Sequence, residues 1–114
     1  MLKKVNRLAK AKEIAAAFAR GRTFFNPFFT VKFLSAKTGR QFTVVISTKV
    51  FKKAVARNRL KRLIREEIRK NLAGFRPGSY IVIAKPKVSR LAEPESLKQF
   101  KEVAHKLKWY EKTF

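Results

Sequence analysis

Apolar positions along the chain recur with two different periods. Lys10 to Arg20 is rich in Ala, carries Ile14 and Phe18 four residues apart, and ends at Gly21. That spacing predicts a helix closed by a glycine. From Phe28 to Leu34 the period falls to two, with Phe29, Val31 and Phe33 on one face. Gln41 to Ser47 repeats it with Phe42, Val44 and Ile46. Both segments read as strands. The polar connector Ser35 to Arg40, which contains Gly39, predicts that they form an antiparallel hairpin. A further short strand is predicted at Thr23 to Phe25, with Pro27 close behind it.

The helical period returns from Lys52 to Asn71. Leu60, Leu63, Ile64 and Ile68 gather on one side, and Asn58, Lys61, Arg62, Arg65 and Arg69 on the other. Glu67 falls inside the apolar sector. Glu66 stands four residues from both Arg62 and Lys70, a spacing for helix-stabilising ion pairs. Gly74 and Pro77-Gly78 break the chain. Ser79 to Ala84 is then almost wholly apolar, as expected of a strand covered on both faces. Reaching the same sheet after a long helix requires a crossover. Pro94 opens a last helix, with Leu97, Phe100, Val103, Ala104 and Leu107 at helical spacing and Trp109 and Tyr110 expected to pack it down. The whole chain, 1–114, reads as one α+β layer domain.

Composition adds a partner to this outline. The chain has 114 residues, 29 Lys and Arg against 7 Asp and Glu, and a net charge of +22. Hydrophobic residues make up 46%, and 11 residues are Phe, which argues for a packed core rather than a disordered basic tail. A folded domain that tolerates this much self-repulsion implies a polyanion partner, nucleic acid before an anionic membrane. Residues 49–70 hold 10 basic and 2 acidic residues, net +8, so the densest charge is central rather than in a tail.

The same totals exclude several functions. Without cysteine there are no disulfides, thiolate metal sites or cysteine nucleophiles. His105 is the single histidine, and Glu66, Glu67 and Glu102 have no carboxylate partner at a catalytic or metal-binding spacing. No apolar run is long enough for a membrane span. The basic start Met1 to Arg7 leads into none, so it does not read as a signal peptide. A cytoplasmic protein with no catalytic and no metal site of its own is expected.

The chemistry concentrates in Ala54-Val55-Ala56-Arg57-Asn58-Arg59-Leu60-Lys61-Arg62-Leu63-Ile64-Arg65-Glu66. Arg presents a planar fork that matches phosphate, and Lys a point charge. The Asn58 amide can bond a base edge or a 2′-hydroxyl. An ordinary solvated helix face would carry balancing acids, and this one has almost none.

This run closely resembles the signature of the bacterial ribonuclease P protein component. Asn6-Arg7-Leu8, the Phe18 to Gly21 end of the first helix, Ile81-Val82-Ile83-Ala84-Lys85, Ser89, Leu91 and Glu95 extend the resemblance to about residues 6–108. It implies an α-β-β-β-α-β-α order, a mixed sheet and a left-handed βαβ crossover, as in the ribosomal protein S5 domain 2-like fold. It also implies an accessory subunit of an endoribonuclease whose active site is RNA. Such a subunit binds the catalytic RNA and precursor tRNA and needs no obligate protein partner. The RNA, with Mg²⁺, removes the 5′ leader.

Carried over by residue, the resemblance assigns catalytic-RNA contact to Arg57, Asn58, Arg59, Lys61, Arg62 and Arg65. It places the leader between the first helix and the sheet, at Ile14, Phe18 and Lys32, with Lys49, Lys52, Lys53, Lys85 and Lys87 at the ends of the cleft. Many relatives have an aromatic where Ile14 and Lys32 stand, which leaves Phe18 as the stacking ring. The alternatives are a ribosomal protein or general RNA chaperone and, less suited to a central charge, a membrane-surface protein.

Overall fold

A computed structural model of the protein describes residues 6–8 and 10–113, with side chains described as far as residue 106. The side chains of Leu107, Trp109 and Tyr110, and the start Met1–Val5, lie outside the described residues. The element order is α1 (Ala11–Arg20), β1 (Arg22–Phe25), β2 (Phe29–Ser35), β3 (Arg40–Val45), α2 (Ala54–Lys70), β4 (Gly78–Ala84) and α3 (Glu93–Thr113). This is the expected α-β-β-β-α-β-α succession.

Helix α1 stops where Gly21 donates its N–H to Ala17 O at 2.9 Å. A Cβ on Gly21 would stand 2.3 Å from that same oxygen, so only glycine permits this close approach. Helix α2 begins at Ala54, two residues later than the pattern suggested, and α3 takes up Pro94 in its first turn.

The four strands lie in the order β1-β2-β4-β3, antiparallel except for the parallel pair β3 and β4. The expected hairpin between β2 and β3 therefore does not form. Strand β4 inserts between them because Tyr80, Ile81 and Val82 need cover on both faces and both edges, which only a central position supplies. The 36–39 connector instead wraps the start of β4. Ala36 N donates to Pro77 O at 3.1 Å and Gly78 N to Gly39 O at 2.9 Å, with Gly39 at φ 82°. The actual hairpin is β1–β2. Its turn places Pro27 outside the ladder, and Asn26 N donates to Phe29 O at 2.9 Å.

The period-two pattern now has two destinations. Phe29, Val31, Phe33, Phe42, Val44, Tyr80, Val82 and Ala84 face α2 and α3, where they meet Leu60, Ile64, Ile68, Phe100 and Val103. Phe33 and Phe42 stack on either side of Tyr80, at 4.7 and 4.6 Å between ring centres. Burying Ile64 and Ile68 completely stabilises the fold by roughly 2–3 kcal/mol each. The opposite sheet face carries a smaller cluster of Leu8, Ala17 and Ile81, with Ile14, Leu34 and Ile83 packed against it. That cluster seats α1. The outer edge of β3 is covered by residues 6–8: Leu8 N donates to Phe42 O at 2.7 Å and Asn6 Nδ2 to Arg40 O at 2.7 Å.

Candidate nucleic-acid interface

Helix α2 is seated by Leu60, Ile64 and Ile68, which are spaced four apart and turn the rest of the run outward. Asn58, Arg59 and Arg62 are exposed, while Arg57, Lys61, Leu63 and Arg65 are half-buried. Arg57 has a local duty. Its Nη1 donates to Phe51 O and Lys52 O, both at 2.8 Å, and so fixes the chain that enters the helix. Nε and Nη2 remain as donors. Arg59 pairs across to Glu93 at the start of α3. Asn58, Arg62, Arg65 and Glu66 line a surface cavity of about 490 Å³. Burial, and Arg7 beside it, lower the Arg65 pKa from its ordinary value.

The expected pairs of Glu66 with Arg62 and Lys70 are replaced by a pair with Arg69, one turn on. The Arg69 hydrogen bond pulls the Glu66 carboxyl down to about 2. Glu67, the acid in the apolar sector, is also explained. Its side chain accepts Asn71 Nδ2 at 2.7 Å and lies 3.8 Å from Lys101 Nζ, between α2 and α3. No acid occupies the first turn of α2, and Lys52 and Lys53 stand exposed just before it. The positive end of the helix dipole and these lysines therefore add.

The second group lies on the sheet face that carries α1. Ile14 is half-buried in the small cluster. Phe18 is 45% exposed, and Lys32 Nζ stands 5.9 Å from the centre of its ring. Lys32 also donates to Thr23 Oγ1 at 3.3 Å. The parallel pair β3/β4 sends its following loops off the same end of the sheet. Exposed Lys49, Lys52, Lys53 and Lys87 and half-buried Lys85 thus lie beyond one end of the β3–β4 ladder. Lys85 Nζ donates to Asn26 O at 2.8 Å and lies 5.1 Å from the centre of the Phe25 ring.

Phe25 is the exposed member of the Phe24–Phe25 pair, a choice that residue spacing leaves open. It is 62% exposed, and it heads a cross-sheet row of Phe25, Thr30, Ile83 and Val45. Two adjacent phenylalanines on one strand must face opposite ways, so one of Phe24 and Phe25 had to leave the core. Phe24 is the one packed against it.

Among the described residues, no three His, Asp or Glu side chains gather to hold a metal ion. No described helix is long and apolar enough to cross a membrane. Among the described residues the arrangement offers phosphate forks, point charges and exposed rings.

The chain is similar to known proteins of one family. The family model for Ribonuclease P matches residues 2–108. The chain is 36% identical to the ribonuclease P protein component of an Exiguobacterium species, over 97% of each chain. It is 38% identical to that of Rippkaea orientalis, over 94% of this chain and 90% of the relative. Among solved structures, the RNase P protein of Staphylococcus aureus superposes with a TM-score of 0.83 at 23% identity, covering 90% of this chain and 94% of that one. The Thermotoga maritima protein superposes with a TM-score of 0.75 at 26% identity, with the same coverage. The chain belongs to the bacterial ribonuclease P protein component family, the protein subunit of an endoribonuclease.

Proposed function

We propose that this protein is an RNA-binding accessory subunit that works in the cytoplasm on two RNA partners. The outer face of α2 grips the catalytic RNA through Arg57, Asn58, Arg59, Lys61, Arg62 and Arg65. The α1 side of the sheet holds the single-stranded 5′ leader of precursor tRNA. Ile14, Phe18 and Lys32 lie at its centre, and Lys49, Lys52, Lys53, Lys85 and Lys87 follow the backbone toward its end. Bond cleavage is left to the RNA and its Mg²⁺, and the protein contributes substrate affinity and breadth. It requires neither a membrane nor a second protein.

The observation that carries this reading is the exposed basic face of α2, with Asn58, Arg59 and Arg62 projecting from a helix anchored by Leu60, Ile64 and Ile68. Phosphate is what such a row of forks fits. The pairing of an exposed ring, Phe18, with a cation, Lys32, supports the leader assignment, because stacking plus charge grips a single strand without regard to sequence.

Reconstitution tests the proposal. The protein is added to the catalytic RNA at low Mg²⁺ and removal of the 5′ leader is followed. Stimulation is expected, with no cleavage by the protein alone. Absence of stimulation would overturn the proposed role, and cleavage by the protein unaided would overturn the division of labour.

A further inference from the structure

The Phe18–Lys32 pair has a counterpart of which the assigned cleft uses only the lysine. Phe25 and Lys85 repeat the same combination of exposed ring and neighbouring ammonium, at 5.1 Å against 5.9 Å. Thr23, the cross-strand partner of Lys32, is two residues before Phe25 on β1. Lys32 and Phe25 therefore stand on adjacent rows of one sheet face, about 7 Å apart along the strands. We propose that Phe25 and Lys85 form a second base-stacking subsite for single-stranded RNA, at the β1–β2 turn. This rests on the reading that the leader crosses this face.

The turn is built to hold the ring still. Asn26 is buried, and its Oδ1 accepts Phe28 N at 2.9 Å and Phe29 N at 2.8 Å. Its Nδ2 donates to Gln99 O at 3.0 Å, which ties the turn to α3. Phe25 O accepts Lys106 Nζ at 3.2 Å. An aromatic ring left 62% exposed on so rigid a support gives little to the core, because Phe24 already fills the inward position. It presents a preorganised π-face instead.

The ligand class follows from the surroundings. Lys85 spends one N–H on Asn26 O and keeps two for a phosphate. Lys106 and the exposed Lys87 place further positive charge at the same end of the sheet. A ring flanked by ammonium groups fits an RNA base and its phosphates. An apolar protein partner would gain nothing from the lysines. Any base can stack there, so the subsite extends grip by leader length rather than by leader sequence.

The test uses the reconstituted holoenzyme and precursor tRNAs whose leaders lengthen one nucleotide at a time, with mature tRNA as reference. Phe25→Ala should leave the affinity for mature tRNA and for the shortest leaders unchanged. Longer leaders should lose about tenfold. Phe25→Trp should bind long leaders at least as tightly as the parent, which rules out a folding defect as the cause. No loss with Phe25→Ala, an equal loss at every leader length, or weaker binding of the catalytic RNA itself would each overturn the proposal. Phe18→Ala is measured alongside. If only Phe18→Ala discriminates by leader, the leader-binding face stands and the second subsite falls. If neither does, both fall.

Discussion

Arg59 on the outer face of α2 is held by Glu93 at the start of α3, with Arg59 Nη2 also donating to Glu93 Oε2 at 3.2 Å. Both side chains are largely exposed, 67% and 45%. A pair in that setting contributes less than about 1 kcal/mol to folding. Its larger effect is on the guanidinium, which cannot give all its donors to phosphate while the carboxylate holds it. Glu93→Gln should therefore change stability by less than about 1 kcal/mol. It should tighten binding to the catalytic RNA about threefold at low salt, a gain that fades as salt rises. Titrations at several salt concentrations check this, and equal affinity in parent and variant would remove Arg59 from the interface.

The three arginines at the start of the motif should fail in different ways. Arg62→Ala and Arg59→Ala each delete one phosphate contact under the proposed function, so each should flatten the logarithmic salt dependence of binding by roughly 0.7 to 0.9. Arg57→Ala should do more. It frees Phe51 O and Lys52 O, whose shared donor is Arg57 Nη1, and should cost about 1–3 kcal/mol of stability as well as affinity. Urea unfolding alongside the salt titrations separates the two outcomes.

These contrasts show where sequence was informative. The helical period of Leu60, Ile64 and Ile68 is local, so the α2 face and its outward arginines could be read directly. Strand neighbours are a different matter. Alternation in Phe29–Val31–Phe33 and Phe42–Val44 says which side chains share a face, but not that β4 slides between the two strands. Glu67 looked like a flaw until Asn71, just past the end of α2, and Lys101 of α3 supplied its partners. The structural duty of Arg57 was not legible, because its hold on Phe51 O depends on how the preceding loop folds back. Phe25 was half legible: alternation required one ring of the Phe24–Phe25 pair to face out, and only the packing shows which.

Asn26 is the point at which the β1–β2 turn depends on a buried polar group. Asn26→Ala leaves Phe28 N and Phe29 N without their Oδ1 acceptor, and a buried unsatisfied donor costs about 1–3 kcal/mol. Destabilisation of about 2–4 kcal/mol is expected for the two together, measured by urea unfolding. Asn26→Asp keeps the acceptor but turns a carboxylate toward Gln99 O and Oε1, which the amide Nδ2 contacts at 3.0 and 3.2 Å. It should fall between the parent and Asn26→Ala near neutral pH and recover as the pH drops and the acid protonates. A stability loss identical in both variants at all pH values would mean that the α3 tie, and not the turn, carries the effect.

Glu66 gives the fold a pH dependence with a definite sign. Its carboxyl sits at about 2 in the folded protein because of the Arg69 hydrogen bond. An unperturbed Glu titrates at about 4.3. The folded value is the lower one, so the unfolded chain takes up the proton first and stability falls with pH. The contribution is complete above the unfolded pKa and is lost as pH falls from there toward about 2. Glu66→Gln should therefore unfold at a lower urea concentration than the parent between pH 5 and 8. The two midpoints should converge as the pH approaches the folded value. The side chain is exposed, so the difference is small, and salt should shrink it. A midpoint difference that stayed constant across the whole range would show that Glu66 acts through its shape and not through its charge.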